Sequence, residues 1–280
     1  VGNRPGLIGS LLVGVAAAKA LAWSLGIAVI GVDHVRAHLH AGCIGRSGHV
    51  PAAPAFPALG LVVSGGHTSI YLCRSSVDLA RIGATIDDAI GEAYDKVGTV
   101  LGLPFPGGPN LDRLAQTGTP AKPGFPIARI SPDSLDFSFS GLKTAAIYAF
   151  KGVPEDDRTR ARRTARGEPS PGPTLSAADV AATFQEAAVA SVVLKLERAL
   201  DRYPAARTLL VGGGVSANSL LRERLTALGS RRRLDVRLPE MQYCLDNAAM
   251  IAGLGAEMLA DRQWRGDDLT MTAAPTTAAM

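Results

Sequence analysis

With 280 residues, 47% of them hydrophobic and 19% charged, the chain has the apolar content of a folded protein with one large or two smaller cores, and disorder is excluded. Lys and Arg exceed Asp and Glu by 29 to 25, a mild basic bias that permits a nucleic-acid partner without requiring one. The three cysteines, Cys43, Cys73 and Cys244, lack any CxxC spacing, so neither a disulfide framework nor a thiolate metal site is indicated and a reducing cytoplasm fits.

The run from Leu7 to Val32 is almost wholly apolar. Hydropathy alone allows a membrane span, but Lys19, a start signal at Ser10 and the internal Gly26 favour a buried helix, Leu11 to Leu25, and then a buried strand, Ile27 to Val32. No membrane segment and no signal peptide are expected. Next comes GVDHVRAHLH, Gly31 to His40, which sets His34 and His38 one helical turn apart. Residues four apart share a helix face, so two imidazoles can converge on one divalent metal, while His40 lies off that face. A solvated or core-capping His pair is the competing reading. The zinc-peptidase helix HExxH has a Glu after its first His as general base; Val35 stands there instead, so a peptidase would lack its base.

A proline-rich loop from Ala52 to Pro57 marks a boundary between lobes, dividing 1–56 from 57–262. Leu59 to Val63 and Thr68 to Cys73 read as strands joined by the turn Ser64, Gly65, Gly66, His67, whose amides suit a phosphate or carbonyl oxygen; an ordinary hairpin is the plainer alternative. Asp87 to Leu101 has a helical apolar stripe with Asp88, Glu92 and Asp95 on another face, and the stiff loop Pro104 to Pro109 before Asp112 can wall a pocket. Ser140 is expected to cap a helix running to about Phe150. Residues 151–173, with Arg158, Arg160, Arg162, Arg163 and Arg166, read as a mobile surface insert.

Ser176 and Asp179 form a capping-box-like start for a long helix to about Tyr203, with Val180, Phe184, Ala187, Val193 and Leu196 facing a core. A strand, Thr208 to Val211, then leads into GGGVSAN and a helix from about Ser219 to Leu228. Strand, glycine loop and helix let a nucleotide approach the backbone, with Asn218 within reach of sugar or phosphate. Gly212, Gly214 and Ala217 also fit the dinucleotide pattern GxGxxA, weakly, because the loop lies late in the chain. Leu234 to Leu238 reads as a strand, Asp246 as either the N-cap of the next helix or a distant metal ligand, and 263–280 as a loose tail.

In chain order, SLLVG at Ser10, DHVRAH at Asp33, VSGGHT at Val63, DDAIGEAYDKV at Asp87, FPGGP at Phe105, DFSFSGLKT at Asp136, GGVSAN at Gly213 and CLDNAAMIA at Cys244 resemble the tRNA threonylcarbamoyltransferase family, bacterial TsaD. The resemblance implies an α/β, two-lobed actin-like ATPase (sugar kinase, Hsp70) fold. It implies metal-dependent transfer of a threonylcarbamoyl group from threonylcarbamoyl-AMP to N6 of the adenosine 3′ to the anticodon, in tRNAs reading codons that begin with A. It makes His34, His38 and Asp246 the metal ligands, and it places Val62, Val63, Ser64, Gly65, Gly66, Asp95, Gly108, Asp112 and Asn218 around the adenylate. Two nitrogens and a hard oxygen suit one divalent metal, Fe(II) ahead of Zn(II), and no protein nucleophile is implied. The implied partners are tRNA and the accessory proteins TsaB and TsaE, in the cytoplasm. Arg36 between the histidines departs from the pattern, as does the lack of a front glycine- and acid-rich hairpin, which leaves the first lobe expected to be incomplete. A non-catalytic homologue acting as a binding subunit is the alternative.

Overall fold

The computed structural model describes residues 1–45, 52–128, 130–152, 162, 165–166, 175–261 and 269–276. Most of the Arg-rich insert therefore lies outside the described residues.

Five strands form the main sheet: β3 (Ala58–Val63), β4 (Thr68–Cys73), β5 (Leu79–Ala84), β6 (Thr208–Gly212) and β7 (Asp235–Arg237), in the order β5-β4-β3-β6-β7. β3 to β5 are an antiparallel meander, and β6 and β7 continue parallel to β3. All six residues of β3 are buried, as a strand covered on both faces requires. A short parallel pair, β1 (Gly2–Arg4) with β2 (Val32–Asp33), lies apart from that sheet.

One face of the sheet carries the largest core. Leu59, Leu61, Val63 and Ile70 meet Ile90, Tyr94 and Val97 of α3 (Ile90–Val100), Leu111 of α4 (Gly107–Ala115), Leu142 of α5 (Ser140–Lys151), Phe184 and Leu196 of α6 (Ala177–Arg202) and Leu225 of α7 (Ser219–Arg232). On the other face Val35 and Leu39 of α2 (His34–Ala41) pack on Ala58, Val62, Tyr71 and Leu210. Two glycines let α2 lie this close. A Cβ at Gly60 would come within 2.6 Å of the Leu39 side chain, and one at Gly212 would collide with the carbonyl of His38. α8 (Ala248–Ala260) then covers α2, burying Ala37 and Ala41 against Met250 and Leu254 together with Val32. The C-terminal helix of the second segment thus packs on the first, so the division at residue 56 is not a division of the core.

α1 (Ile8–Leu25) corrects the expectation of a buried helix: only 11% of its 18-residue window is buried, and Leu12, Val13, Leu21 and Trp23 are exposed. Apolar composition was read as burial, but here only Val15 and Ala22 reach a core, against Val29 and Met271. The strand expected over 27–32 is confined to Val32–Asp33, with Ile27 exposed. Met271, in the expected loose tail, is buried, and the Ala274 amide donates to the Asn3 carbonyl at 2.9 Å, so this stretch is docked. α1 and α6 are both long and apolar enough to cross a membrane; the window of α6 is 61% buried, as befits a core helix.

Candidate metal centre and nucleotide network

Asp33 begins the site. Its Oδ1 accepts from the amides of Val35 (3.0 Å) and Arg36 (3.2 Å), fixing the first turn of α2 from which His34 and His38 project. Asn247, not Asp246, caps α8: its Oδ1 accepts from the Met250 amide at 2.8 Å. Asp246 is thereby spared, and its Oδ1 lies 3.2 Å from His34 Nε2 and 3.3 Å from His38 Nε2. Hydrogen bonds from His34, then from His38, hold the Asp246 carboxyl far below the usual carboxylate range against the opposing effect of burial.

The two rings meet edge-on with centroids 4.7 Å apart, and the three ligand atoms lie within 4.8 Å of one another. His38 is buried with its Nδ1 unpartnered among the described residues, whereas the Asp246 side chain is 78% exposed. Two nitrogens and one oxygen converging from one side, with the carboxylate open to solvent, fit a divalent cation that keeps free coordination positions. His67 lies close by. Burial lowers its pKa, the fields of His34 and His38 lower it further, and Asp33 acts against them.

The turn between β3 and β4 adjoins this centre. The Ser64 amide is used within the turn, donating to the His67 carbonyl (2.8 Å), while the His67 amide donates to Ser64 Oγ (3.1 Å). Val62 and Val63 are fully buried, backbone included, so the exposed part of this turn is Gly65 and Gly66. A Cβ at Gly213 (φ 97°) would collide with the Val63 carbonyl, which puts the second glycine turn directly against the first. Gly214 is looser, its Cβ meeting only Leu245 at 3.3 Å, so the tight backbone approach falls on Gly212 and Gly213.

The remaining expected site residues fall into two groups. Asp95 Oδ1 accepts from the amides of Gly107 (2.8 Å) and Gly108 (3.3 Å), closing the start of α4. Asp112 and Asn218, far apart in sequence, are brought together by Gln185, which sequence reasoning missed. Gln185 Nε2 donates to Asp112 Oδ1 at 3.0 Å, and Asn218 Nδ2 donates to Gln185 Oε1 at 3.0 Å. Asn218 Oδ1 accepts from the Leu221 amide (2.9 Å) as N-cap of α7, and its Nδ2 also reaches the Tyr94 hydroxyl (3.4 Å). Ser219 completes the set, donating from its amide to Asp112 Oδ2 (3.1 Å) and from Oγ to Oδ1 (2.7 Å). Burial pushes the Tyr94 hydroxyl far up, with the Asp112 field in the same direction.

Two further anchors also escaped the sequence. Asp87 reaches across to cap α5, accepting from the Phe139 amide (2.8 Å), the Ser140 amide (3.4 Å) and the Ser140 hydroxyl (2.8 Å), so Ser140 is a donor to the cap and not the cap expected. Arg222 Nη1 donates to the carbonyls of Ser216 (3.0 Å) and Pro239 (3.1 Å), tying the second glycine turn to the segment that delivers Asp246.

A meander continued by parallel strands, covered on both faces, with glycine turns beside a three-ligand centre, defines an α/β protein of the actin-like ATPase fold. Its backbone is similar to the crystal structure of full-length HypF in the phosphate- and nucleotide-bound form, with a TM-score of 0.59 and 14% identity over 88% of this chain and 46% of that one. It is also similar to HypF of T. kodakarensis, with a TM-score of 0.56 and 13% identity over 91% and 40%. The family model described as TsaD, tRNA N6-adenosine threonylcarbamoyltransferase, matches residues 1–253, and the chain belongs to that family. Proteins so named are 47% identical in Anaeromyxobacter dehalogenans strain 2CP-1, over 96% of this chain and 74% of the relative, and 44% identical in Carboxydothermus hydrogenoformans, over 90% and 68%. That of Chlamydia trachomatis serovar L2b is 44% identical over 94% and 72%. The chain is accordingly a transferase of tRNA modification.

Proposed function

We propose that this chain transfers the threonylcarbamoyl group of threonylcarbamoyl-AMP to N6 of the adenosine 3′ to the anticodon, in tRNAs reading codons that begin with A. The observation that carries this reading is the convergence of His34, His38 and Asp246 from opposite ends of the sequence beside the glycine turns. His34, His38 and Asp246 would hold a divalent cation, Fe(II) ahead of Zn(II), which would supply Lewis-acid polarisation of the transferring carbonyl. The chain's own residues position. Asp33 fixes the helix that carries both imidazoles, and Asp246 stays ionised across the working pH range. Gly65 and Gly66 offer exposed backbone to the acyl-phosphate end, while Asp95, Gly108, Asp112 and Asn218 shape the nucleotide end. An amine nucleophile with AMP as leaving group needs orientation more than covalent catalysis, which agrees with the lack of a Ser/His/Asp or Cys/His set among the site residues described here.

The exposed apolar face of α1 supports a protein partner, TsaB and TsaE being those the family resemblance implies, in a cytoplasmic setting. The test is a modification assay with unmodified tRNA, threonine, bicarbonate, ATP and the enzyme that makes the adenylate. Metal-dependent appearance of the modified adenosine is expected; equal product from His34→Ala/His38→Ala would overturn the reading.

A further inference from the structure

Gln185 is 4% exposed and sits on the core-facing side of α6, where the neighbouring positions Ala181, Ala188 and Val189 are apolar. A carboxamide at such a position costs stability unless every polar atom is matched. Here the match has a fixed direction. Asn218 must turn Oδ1 toward the Leu221 amide to cap α7, so its Nδ2 must face Gln185 and Tyr94. Gln185 must then present Oε1 to Asn218 and Nε2 to Asp112. An ionised carboxylate only accepts, so Asp112 can terminate the chain in no other sense. Three donors, from Gln185, the Ser219 amide and the Ser219 hydroxyl, occupy the carboxylate and leave acceptor capacity on Oδ2 for a ligand hydroxyl.

From this we infer that Gln185 is a positioning residue: it reads the direction of the α7 cap and passes it to Asp112, so that the carboxylate is held oriented and short of one donor for a nucleoside hydroxyl. The inference rests on the proposed nucleotide site. It assigns the donor-to-acceptor polarity of that site to a residue that need not touch the nucleotide.

The test is AMP binding to the full chain by calorimetry between about pH 5 and pH 8, each variant expressed relative to wild type at the same pH. Gln185→Met keeps the volume and removes both bonds; its affinity is expected to fall about tenfold at every pH, the effect of one well-formed hydrogen bond to a charged group. Gln185→Glu discriminates. At pH 8 two carboxylates face each other across a hydrogen-bond distance, and the loss should equal or exceed that of the Met variant. As pH falls, the pair takes up one proton; the protonated carboxyl donates to Asp112 and accepts from Asn218, the same polarity as the amide, so affinity should climb back toward wild type. A role confined to packing would give a loss that does not vary with pH, and that result, or undiminished binding by Gln185→Met, would overturn the inference. Asp112→Ala is the separate control: if it binds AMP as well as wild type, the nucleotide site itself is misassigned.

Discussion

The metal centre and the nucleotide network use the same kinds of side chain in opposite ways. Around Asp112, nearly every donor and acceptor is spent inside the protein: Asn218 uses its oxygen and both amide hydrogens on Leu221, Gln185 and Tyr94. Around Asp246, three strong ligand atoms crowd together with one carboxylate largely in water and a buried imidazole nitrogen unmatched. A polar cluster that is nearly saturated rigidifies the fold and keeps at most one acceptor position for a ligand, whereas one left with converging lone pairs can take up a cation.

That contrast breaks most sharply on removing ligands. His34→Ala/His38→Ala should lower metal affinity and group transfer by at least about a hundredfold while leaving AMP binding unchanged; retained stoichiometric metal by elemental analysis would contradict it. In the wild type, metal affinity should also fall as pH drops through the ordinary imidazole range, because ligation requires the neutral ring.

Asn218→Ala sharpens the other side. It removes a helix cap and strands Gln185, and should cost about 1–3 kcal/mol in denaturant unfolding with metal content intact. Gly212→Ala connects the two regions, since the added methyl must displace the His38 carbonyl. Overpacking of this kind costs about 1–3 kcal/mol. The diagnostic result is weakened metal binding at full occupancy of the nucleotide site.

The smallest effect concerns Asp87. Burial raises its pKa, but the hydrogen bonds from the Ser138 hydroxyl, the Phe139 amide and Ser140 outweigh this and leave it depressed. A depressed carboxyl contributes stability that is complete above the unfolded value, about 3.9, and disappears as pH falls through the lower folded value. Acid unfolding of Asp87→Asn should therefore lack a component that wild type shows below about pH 4, and identical acid transitions would refute it.

How much of this was legible depended on distance along the chain. His34 and His38 were legible because helical spacing alone puts them together. Asp246 was not: as a lone acid before a helix it reads most simply as a cap, and only the family words, or the capping of the helix by Asn247, free it for the site. The β3–β4 hairpin, the Ser176 cap and the β6–turn–α7 unit were local and came out as expected. Gln185 and Asp87 were missed because their partners lie dozens of residues away, though a lone Gln on an apolar stripe was a signal. α1 failed for a different reason, since a sequence states how apolar a helix is without stating what covers it.

The placement of α8 over α2 has an energetic side. The metal ligands are separated by roughly two hundred residues, and gathering ends so far apart in a loose chain costs several kcal/mol of loop entropy. Here that gathering is done by Ala37 and Ala41 against Met250 and Leu254, with Gly253 seated under the His40 ring. Opening of this helix pair would carry Asp246 away from His34 and His38, so a cation held by all three should in turn stabilise the packing of α8 on α2. Slower hydrogen exchange in α8 on adding the cation would then register an ion that lies outside the helix.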